Sequence, residues 1–124
     1  MKILVVDDEK DMKMLFEQRF RKEMRDGKVE FVFATSGEEA LTYLNRHDHE
    51  AVLILSDINM PGMTGLQLLE KIKQEHKTPP PVVMMITAYG DEENYSRAMQ
   101  LGADDFLTKP LDFTLLKDKL KIPG

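Results

Sequence analysis

The chain has 124 residues, 42% hydrophobic and 31% charged, with a formal net charge of −5 at pH 7. This length supports one domain with one hydrophobic core, and the negative charge argues against non-specific nucleic-acid binding and favours a cation as ligand. The absence of cysteine excludes disulfides, thiolate catalysis and cysteine-based zinc sites, as is common in the cytoplasm. Because no apolar run reaches the length of a signal-peptide core or a membrane span, we expect neither export nor membrane insertion.

Apolar segments of strand length alternate along the chain with segments of helical spacing. The predicted strands are residues 2–6, 29–34, 51–55, 82–87 and 105–109. The helical stripes between and after them contain Met12, Leu15, Phe16 and Phe20; Ala40, Leu41 and Leu44; Leu66, Leu69 and Ile72; Tyr95, Ala98 and Met99; and Phe113, Leu116 and Leu120. This alternation predicts parallel strands covered by helices on both faces and joined by right-handed crossovers.

Capping and breaking residues support these boundaries. Ser36, with Glu39 three residues later, matches a capping box, and Gly27 and Gly102 stand where helices are expected to end. The sequence TPPP at residues 78–81 ends the third predicted helix, because proline cannot continue it. The three histidines, His47, His49 and His76, lie in polar segments and are interpreted as solvated surface residues rather than metal ligands.

Candidate reactive groups stand at the carboxyl ends of four predicted strands. These are Asp7 and Asp8 after the first strand, Asp57 after the third, Thr87 and Ala88 at the fourth, and Lys109, followed by Pro110, at the fifth. Taken singly, each has an ordinary structural explanation, such as helix capping by Asp7 or Asp8. Together they would meet at one edge of a parallel sheet, which is where open α/β folds bind ligands.

Such a cluster has a definite chemistry. Three carboxylates at one edge repel one another, and a hard divalent cation such as Mg²⁺ would relieve that repulsion. The Lys109 ammonium, the Thr87 hydroxyl and a backbone N–H can bind phosphoryl oxygens. Carboxylate, metal, lysine and hydroxyl together indicate phosphoryl transfer, which depends mainly on positioning and charge neutralisation.

Four segments, ILVVDDE, SDINMPGMTGLQLL, ITAYG and GADDFLTKP, resemble the signature segments of the receiver domain of two-component response regulators. They occur in the family's order and spacing over essentially the whole chain. The resemblance implies a three-layer α/β/α fold with a doubly wound, five-stranded parallel sheet and the flavodoxin-like strand order 2-1-3-4-5. It also implies one cytoplasmic, phospho-accepting regulatory domain over residues 1–124, not an enzyme, that either stands alone or begins a longer protein.

The resemblance assigns a role to each acid. Asp57 matches the phospho-acceptor, which would receive a phosphoryl group from a phosphohistidine of a sensor kinase or a phosphotransfer protein. Asp7, Asp8, Asp57 and the backbone carbonyl of Asn59 would hold Mg²⁺, or alternatively Mn²⁺. This assignment makes the site a phosphorylation input dependent on a divalent cation.

The remaining strand ends would bind the phosphoryl group and respond to it. Lys109, Thr87 and Ala88 match the phosphoryl-binding positions, and the peptide bond from Lys109 to Pro110 is expected to be cis. Thr87 and Phe106 match the switch pair, in which the aromatic ring moves into space that the hydroxyl vacates. Phe106 departs from the family's usual tyrosine; because its ring lacks a hydroxyl, we expect it to point inward more persistently.

Tuning and output are also implied by the resemblance. Asn59 and Tyr89 match positions that set the rate of phosphoryl hydrolysis. The output surface would comprise the fourth predicted helix, the fifth strand and the fifth helix, near Tyr95, Met99, Leu101, Phe106 and Leu111. Through it the domain would control an effector domain or a partner protein, and phosphorylation could also drive homodimer formation.

Other functions remain open at this stage. One alternative is a receiver fold kept only as an interaction module independent of phosphorylation, although none of the acids nor the lysine is missing. A Mg²⁺-dependent aspartyl-phosphate phosphatase of the haloacid-dehalogenase type would need a nucleophile at the end of the first strand and an acid two residues later. Asp7 has Glu9 at that distance, but with Asp8 between them and no Thr or Val following, and Asp57 has Asn59 there. A flavin carrier would not place Asp7 and Asp8 in its phosphate loop. Residues 18–41 resemble receivers that precede nucleotide cyclases, but a DNA-binding effector or a standalone domain is equally open.

Overall fold

A five-stranded sheet organises the described residues, which in this computed structural model are 1–47, 50, 53–75, 81–88 and 90–122. The strands are β1 (Lys2–Val6), β2 (Glu30–Ala34), β3 (Leu53–Asp57), β4 (Val82–Ala88) and β5 (Asp105–Lys109). The helices are α1 (Asp11–Arg19), α2 (Arg21–Arg25), α3 (Gly37–Arg46), α4 (Gly65–Glu75), α5 (Glu92–Gln100) and α6 (Phe113–Leu120).

All the strand pairs are parallel, and the strand order is β2-β1-β3-β4-β5. The predicted fold class and strand order are therefore confirmed. β3 lies at the centre, where Leu53 pairs with Ile3 of β1 on one side and with Val82 of β4 on the other. Because parallel strands share one direction, the ends of β1, β3, β4 and β5 that carry the candidate residues lie along one edge of the sheet.

Helices cover both faces of the sheet, and each face has its own buried core. On one face, Leu4, Ile54 and Met85 from the strands pack with residues of α3, α4 and α5. On the other, Ile3 and Leu55 pack with residues of α1 and α6. Alternate residues of β1 and β3 thus enter opposite cores, which explains why their apolar runs are continuous.

Several element boundaries differ from those predicted. β3 runs from Leu53 to Asp57, because the backbone ladder continues past the apolar run through Ser56; Ala51 and Val52 lie outside the described residues. β2 begins one residue late, at Glu30, and β4 extends one residue further, to Ala88.

The first predicted helix is divided in two. α1 ends at Arg19 because Phe20 leaves the helical conformation with φ −112° and ψ 20°, and the short helix α2 follows. The apolar spacing that predicts this helix continues to Phe20, so the sequence pattern does not predict the break. The predicted fourth and fifth helices consequently correspond to α5 and α6 of the structure.

The predicted start of α3 and the predicted glycine positions after helices are confirmed, whereas residues 78–80 of the TPPP segment lie outside the described residues, so the helix end assigned to them stays a prediction. The Ser36 hydroxyl accepts a hydrogen bond from the Glu39 amide at 3.0 Å at the start of α3. The Glu39 carboxylate accepts from the Thr35 hydroxyl at 3.0 Å, so the second bond differs from that of a standard capping box. Gly27 and Gly102, with φ 72° and 96°, adopt the positive φ that favours glycine after a helix.

Among the helices of the described residues, none combines the length and the apolar character needed to cross a bilayer.

An aromatic cluster joins α1, β2 and α6 on one face of the sheet. Phe16 is fully buried. Its ring centroid lies 5.8 Å from that of Phe20, 5.4 Å from Phe31, 6.2 Å from Phe33 and 5.3 Å from Phe113. Three of these contacts are edge-to-face, the arrangement that aromatic quadrupoles favour. Phe16 therefore anchors α1 against both the edge strand and the last helix.

We predict that Phe16→Ala lowers the free energy of unfolding by about 3–5 kcal/mol, since it removes a buried ring and leaves a cavity among four others. Urea denaturation followed by circular dichroism measures the change. Met14→Ala on the same helix is the matched control, because Met14 is 64% exposed and its truncation should cost under about 0.5 kcal/mol. Equal losses in the two variants would contradict the anchoring role of Phe16.

Candidate functional site

Asp57 is a buried carboxylate with two partners from elsewhere in the fold. It is the last residue of β3, and its side chain is only 2% exposed. Oδ2 accepts a hydrogen bond from Lys109 Nζ at 2.8 Å, and Oδ1 accepts one from the Asn59 amide at 3.2 Å. Lys109 ends β5, so its side chain reaches past β4, the strand between them. A buried charge is costly unless it is paired and hydrogen-bonded, and here both conditions are met.

Asp7 and Asp8 complete an acidic cluster directly after β1. Asp7 is buried and Asp8 is exposed, and each of Asp7, Asp8 and Asp57 offers a carboxylate oxygen within 4.8 Å of the others. The Asp7 amide donates to the Ala34 carbonyl at 3.1 Å, which fixes the backbone against β2. Three negative side chains from two strand ends are thus held at one point.

Among the described residues, one buried carboxylate oxygen of this cluster lacks a hydrogen-bond partner. Asp7 Oδ1 accepts from the Glu9 amide at 2.9 Å. Asp7 Oδ2 is buried and, within the part of the chain that the structure describes, has no hydrogen-bond partner. A buried carboxylate oxygen left in this way calls for a ligand that can accept its lone pairs.

The electrostatics reflect the crowding of these acids. Burial raises the pKa of Asp7 to about 6; the hydrogen bond from the Glu9 amide opposes this rise, and the nearby Asp57 charge adds to it. Burial alone would lower the pKa of Lys109, but the hydrogen bond and charge of Asp57, with the charges of Asp7 and Glu9, outweigh it and raise that pKa above its ordinary value. The site therefore holds its lysine as a cation and carries an excess of negative charge.

This donor set fits a hard divalent cation such as Mg²⁺. The ligands that such an ion prefers are carboxylate and carbonyl oxygens and water. The cluster offers three carboxylates close together, and one of them, that of Asp7, has a buried oxygen with no hydrogen-bond partner among the described residues. Asn59 lies exposed in the loop just after β3, next to the cluster in the chain. The fit thus rests on donor chemistry and on that buried oxygen.

Thr87 and Phe106 lie together beside this cluster. Thr87 is 2% exposed, and among the described residues its hydroxyl has no hydrogen-bond partner. A groove of about 290 Å³ is lined by Thr87, Ala88, Phe106 and Tyr95 among others. Phe106 is half-buried, packs against the core on the α5 side, and places its ring centroid 4.1 Å from that of Tyr95. The two residues matched to the switch thus share one groove.

The remaining predicted positions are less closely grouped. The Lys109–Pro110 peptide bond is cis, the isomer that the resemblance implies. Of the expected output residues, Tyr95 and Met99 are exposed, and Leu101 packs with the same core as Phe106. Leu111 packs instead against the core on the opposite face of the sheet.

The last predicted positions are the three histidines and Tyr89, which the resemblance assigns to the rate of phosphoryl hydrolysis. His47 packs its ring against Tyr43, with centroids 4.2 Å apart, and lies 3.3 Å from a Glu50 carboxylate oxygen. Tyr89, His49 and His76 lie outside the described residues, so the predictions for them stay predictions.

Comparisons with known proteins agree with this geometry. A family model described as the response regulator receiver domain matches residues 3–121. The chain is 33% identical over 121 residues to a chemotaxis protein CheY homolog of Campylobacter jejuni, covering 98% of this chain and 90% of that protein. It is 35% identical to the response regulator RppA of Synechocystis, but spans only 49% of that protein's length.

A solved structure shows the same architecture. The response regulator receiver domain protein from Clostridium thermocellum superimposes with a TM-score of 0.83 at 28% identity. The match covers 97% of this chain and 90% of the other. The overall backbone of the present chain is therefore that of a known receiver domain.

Three residues that shape the site were not singled out from the sequence. The buried Ser56 hydroxyl donates to the Asp57 carbonyl at 3.0 Å. Gly65, the first residue of α4, donates its amide to the Ile58 carbonyl at 2.8 Å. A Cβ atom on Gly65 would clash with the Asp57 carbonyl oxygen. The glycine in PGMTG was the available signal, but only the structure identifies the backbone that it contacts.

Glu9 is the third such residue. Its Oε1 lies 3.8 Å from Lys109 Nζ, so the lysine has a second carboxylate neighbour besides Asp57. In the sequence it stood out only as the acid two residues after Asp7, and its contact with the lysine was not predicted.

We predict that Gly65→Ala lowers the free energy of unfolding by about 2 kcal/mol or more, because the new methyl group meets the rigid backbone at Asp57. Gly37→Ala is the matched control at the first residue of α3. There the new Cβ would meet Met63 Sδ at 2.8 Å, and this flexible side chain can move at a cost below about 1 kcal/mol. Urea denaturation measures the free energy of unfolding of both variants. Similar losses in the two would show that the start of α4 does not need to pack closely against the Asp57 backbone.

Proposed function

Because the chain belongs to the response regulator receiver domain family, we propose that it is a signalling switch in which Asp57 accepts a phosphoryl group from a phosphohistidine. Receiver domains are phospho-accepting regulatory domains, and they partner with histidine kinases or phosphotransfer proteins. The observation that carries the proposal is the buried Asp57 carboxylate, hydrogen-bonded to Lys109 at 2.8 Å and grouped with Asp7 and Asp8. This arrangement supports a nucleophile surrounded by groups that bind a phosphoryl oxygen and a cation.

The transfer is a displacement at phosphorus. A carboxylate oxygen of Asp57 forms the new P–O bond, while the P–N bond of the phosphohistidine breaks and its electron pair stays on the imidazole nitrogen, which takes up a proton. The Lys109 ammonium, which binds Asp57 at 2.8 Å, would bind an oxygen of the incoming phosphoryl group. The Thr87 hydroxyl and the Ala88 amide would bind other oxygens of that group.

The acids would hold a divalent cation while this occurs. Receiver domains generally bind Mg²⁺ at an acidic cluster, and here Asp7, Asp8, Asp57 and the Asn59 carbonyl would be its ligands, with Mn²⁺ as an alternative ion. Bound there, the ion would supply positive charge that offsets the repulsion between the phosphoryl oxygens and the carboxylates. Asp7, with its buried oxygen lacking a hydrogen-bond partner, would gain the most from it.

Phosphorylation would act on a pre-existing conformational equilibrium. The Thr87 hydroxyl is buried and, among the described residues, makes no hydrogen bond. A bond from it to a phosphoryl oxygen would therefore be gained without breaking an earlier one. Phosphorylation can shift the equilibrium only if such a bond is stronger in the active state. Movement of Thr87 would then free space in the groove that it shares with Phe106.

The output would lie on α5, β5 and α6. Tyr95 and Met99 are exposed on α5, and the ring of Tyr95 contacts Phe106 of β5, so a shift of Phe106 would reach the surface. We place Leu101 and Leu111 at the margins of this surface. An effector domain or a partner protein would bind there, and a homodimer formed on phosphorylation is the alternative.

The proposal also covers the domain organisation, the phosphoryl lifetime and the effector. Residues 1–124 would act as one cytoplasmic receiver domain, alone or at the start of a longer protein. The phosphoryl lifetime would depend on Asn59 and Tyr89, and the effector would be a nucleotide cyclase, a DNA-binding domain or a separate protein.

We predict that the wild-type chain gains one phosphoryl group when it is incubated with acetyl phosphate and MgCl₂, and that Asp57→Asn gains none. The amide of asparagine lacks the negative charge needed to attack phosphorus. Intact-protein mass spectrometry measures the gain, and a parallel incubation with excess EDTA should abolish it. Glu30→Gln, which removes an exposed carboxylate at the start of β2, is the control that should label normally.

Equal labelling of wild type and Asp57→Asn would refute the assignment of the acceptor. Failure of the wild type to label with metal and either acetyl phosphate or a cognate kinase would refute the function.

We predict that Thr87→Ala still takes up the phosphoryl group but loses the structural response to it, because it lacks the hydroxyl proposed to bind that group. Thr87→Ser, which keeps a hydroxyl, should retain the response. Amide hydrogen exchange at α5 and β5, measured with and without acetyl phosphate, gives the readout. A response in Thr87→Ala as large as that of the wild type would show that the hydroxyl does not couple the site to this surface.

A further inference from the structure

Glu9 is the solvent-side neighbour of the proposed phosphoryl-binding lysine. Lys109 Nζ lies 2.8 Å from Asp57 Oδ2 and 3.8 Å from Glu9 Oε1. The Asp57 side chain is 2% exposed, that of Lys109 33%, and that of Glu9 64%. The exposed fraction of the side chain thus increases from Asp57 to Lys109 to Glu9. Glu9 therefore lies on the solvent side of the Lys109 ammonium.

Glu9 also borders the two grooves that adjoin the site. One, of about 210 Å³, is lined by Asp7 as well as Glu9. The other, of about 530 Å³, is lined by Lys109 as well as Glu9. Because Glu9 is shared by both, a molecule that approaches Lys109 or Asp7 along either groove passes its carboxylate.

The backbone of Glu9 is fixed independently of its side chain. Its amide donates to Asp7 Oδ1 at 2.9 Å, so a substitution that keeps the backbone keeps that bond. Among the described residues, the Glu9 side chain has one charged contact, at 3.8 Å, which is longer than a hydrogen bond. Its effect on the site is therefore mainly that of a fixed negative charge, which can be removed with little change in packing.

That charge opposes the binding of an anionic phosphodonor. The carboxylates of Asp57 and Glu9 lie 2.8 and 3.8 Å from the Lys109 ammonium, and those of Asp7 and Asp8 group with Asp57. Other cations border the same grooves, namely Lys10 and Lys13 in the smaller one and Arg19 in the larger one, but among the described ion pairs Lys109 is the cation that Glu9 approaches. A divalent cation bound by Asp7, Asp8 and Asp57 would, together with the charge of Lys109, offset those three carboxylates, but the charge of Glu9 lies outside that set. The repulsion from Glu9 doubles when the charge of the donor doubles, and it is screened by salt because Glu9 is exposed.

We propose that Glu9 is a selectivity-determining residue that disfavours free dianionic acyl phosphates as phosphodonors relative to a phosphohistidine carried by a protein. The inference rests on the proposed function of Asp57. A protein donor can bring its own basic side chains beside the phosphohistidine and offset Glu9, whereas a small acyl phosphate cannot. Glu9 would thereby reduce labelling of the domain by free metabolites without blocking its kinase-dependent input.

The test compares two small donors of different charge: acetyl phosphate, a dianion at neutral pH, and phosphoramidate, mainly a monoanion there. Initial labelling rates are measured by mass spectrometry at fixed free Mg²⁺ for the wild type, Glu9→Gln, Glu9→Asp and Glu17→Gln. Glu9→Gln removes the charge with little change in shape, and Glu9→Asp keeps the charge. Glu17→Gln removes an equal charge from an exposed position further along α1.

At low ionic strength, Glu9→Gln should raise the rate with acetyl phosphate by about three- to ten-fold and the rate with phosphoramidate by roughly the square root of that factor. At 1 M salt the gain should fall below about two-fold. Glu9→Asp and Glu17→Gln should keep the wild-type ratio of the two rates.

Other outcomes overturn the inference. Unchanged rates in Glu9→Gln, or equal acceleration with both donors that salt does not reduce, would exclude selection by charge. Slower labelling with both donors would mean that Glu9 positions Lys109 instead. In all these cases the wild type still labels, so the function of Asp57 stands; absence of labelling in the wild type would refute that function and this inference together.

Discussion

The charge of Asp57 is buried at the end of the central strand, and the rest of the site follows from the need to stabilise it. A carboxylate that is 2% exposed must be paired, because an isolated ion in that position would be neutralised or expelled. Its lysine partner comes from 52 residues away and reaches it only because β4 and β5 follow β3 in one parallel sheet. The strand order is thus a condition for the ion pair, and the ion pair lies at the edge of the sheet where the phosphoryl transfer is proposed.

One lysine does not balance the acids around it. The hydrogen bond and charge of Asp57 hold Lys109 as a cation, yet burial and the neighbouring carboxylate still raise the pKa of Asp7 to about 6, and Asp7 Oδ2 lacks a partner among the described residues. This remaining negative charge is what makes a divalent cation a fitting ligand. It also means that each further carboxylate near the lysine, Glu9 above all, affects how readily an anion can approach. Cation binding and the proposed donor selectivity would therefore share one electrostatic cause.

Much of this site could be predicted because a parallel sheet collects the residues that follow each apolar run. Asp7, Asp8, Asp57 and Lys109 were all identified in that way, and the structure brings them together. The break between α1 and α2 could not be predicted, since the apolar stripe continues through Phe20 while the backbone there leaves the helix. Glu9 and Gly65 were missed for a different reason: their importance lies in contacts with Lys109 and with the Asp57 backbone, which no local pattern encodes.

The absence of a hydroxyl on Phe106 changes how the proposed switch would be balanced. A tyrosine ring at this position could be held outward by a hydrogen bond, whereas phenylalanine can respond only to packing. Its ring contacts Tyr95 on one side, with centroids 4.1 Å apart, and the core on the other. Burial of apolar surface favours the inward position, and the exposed Tyr95 ring offers a competing contact. The position of Phe106 would then depend on the space that Thr87 leaves and on whatever covers Tyr95, so a partner bound at α5 would influence phosphorylation as strongly as phosphorylation influences its binding.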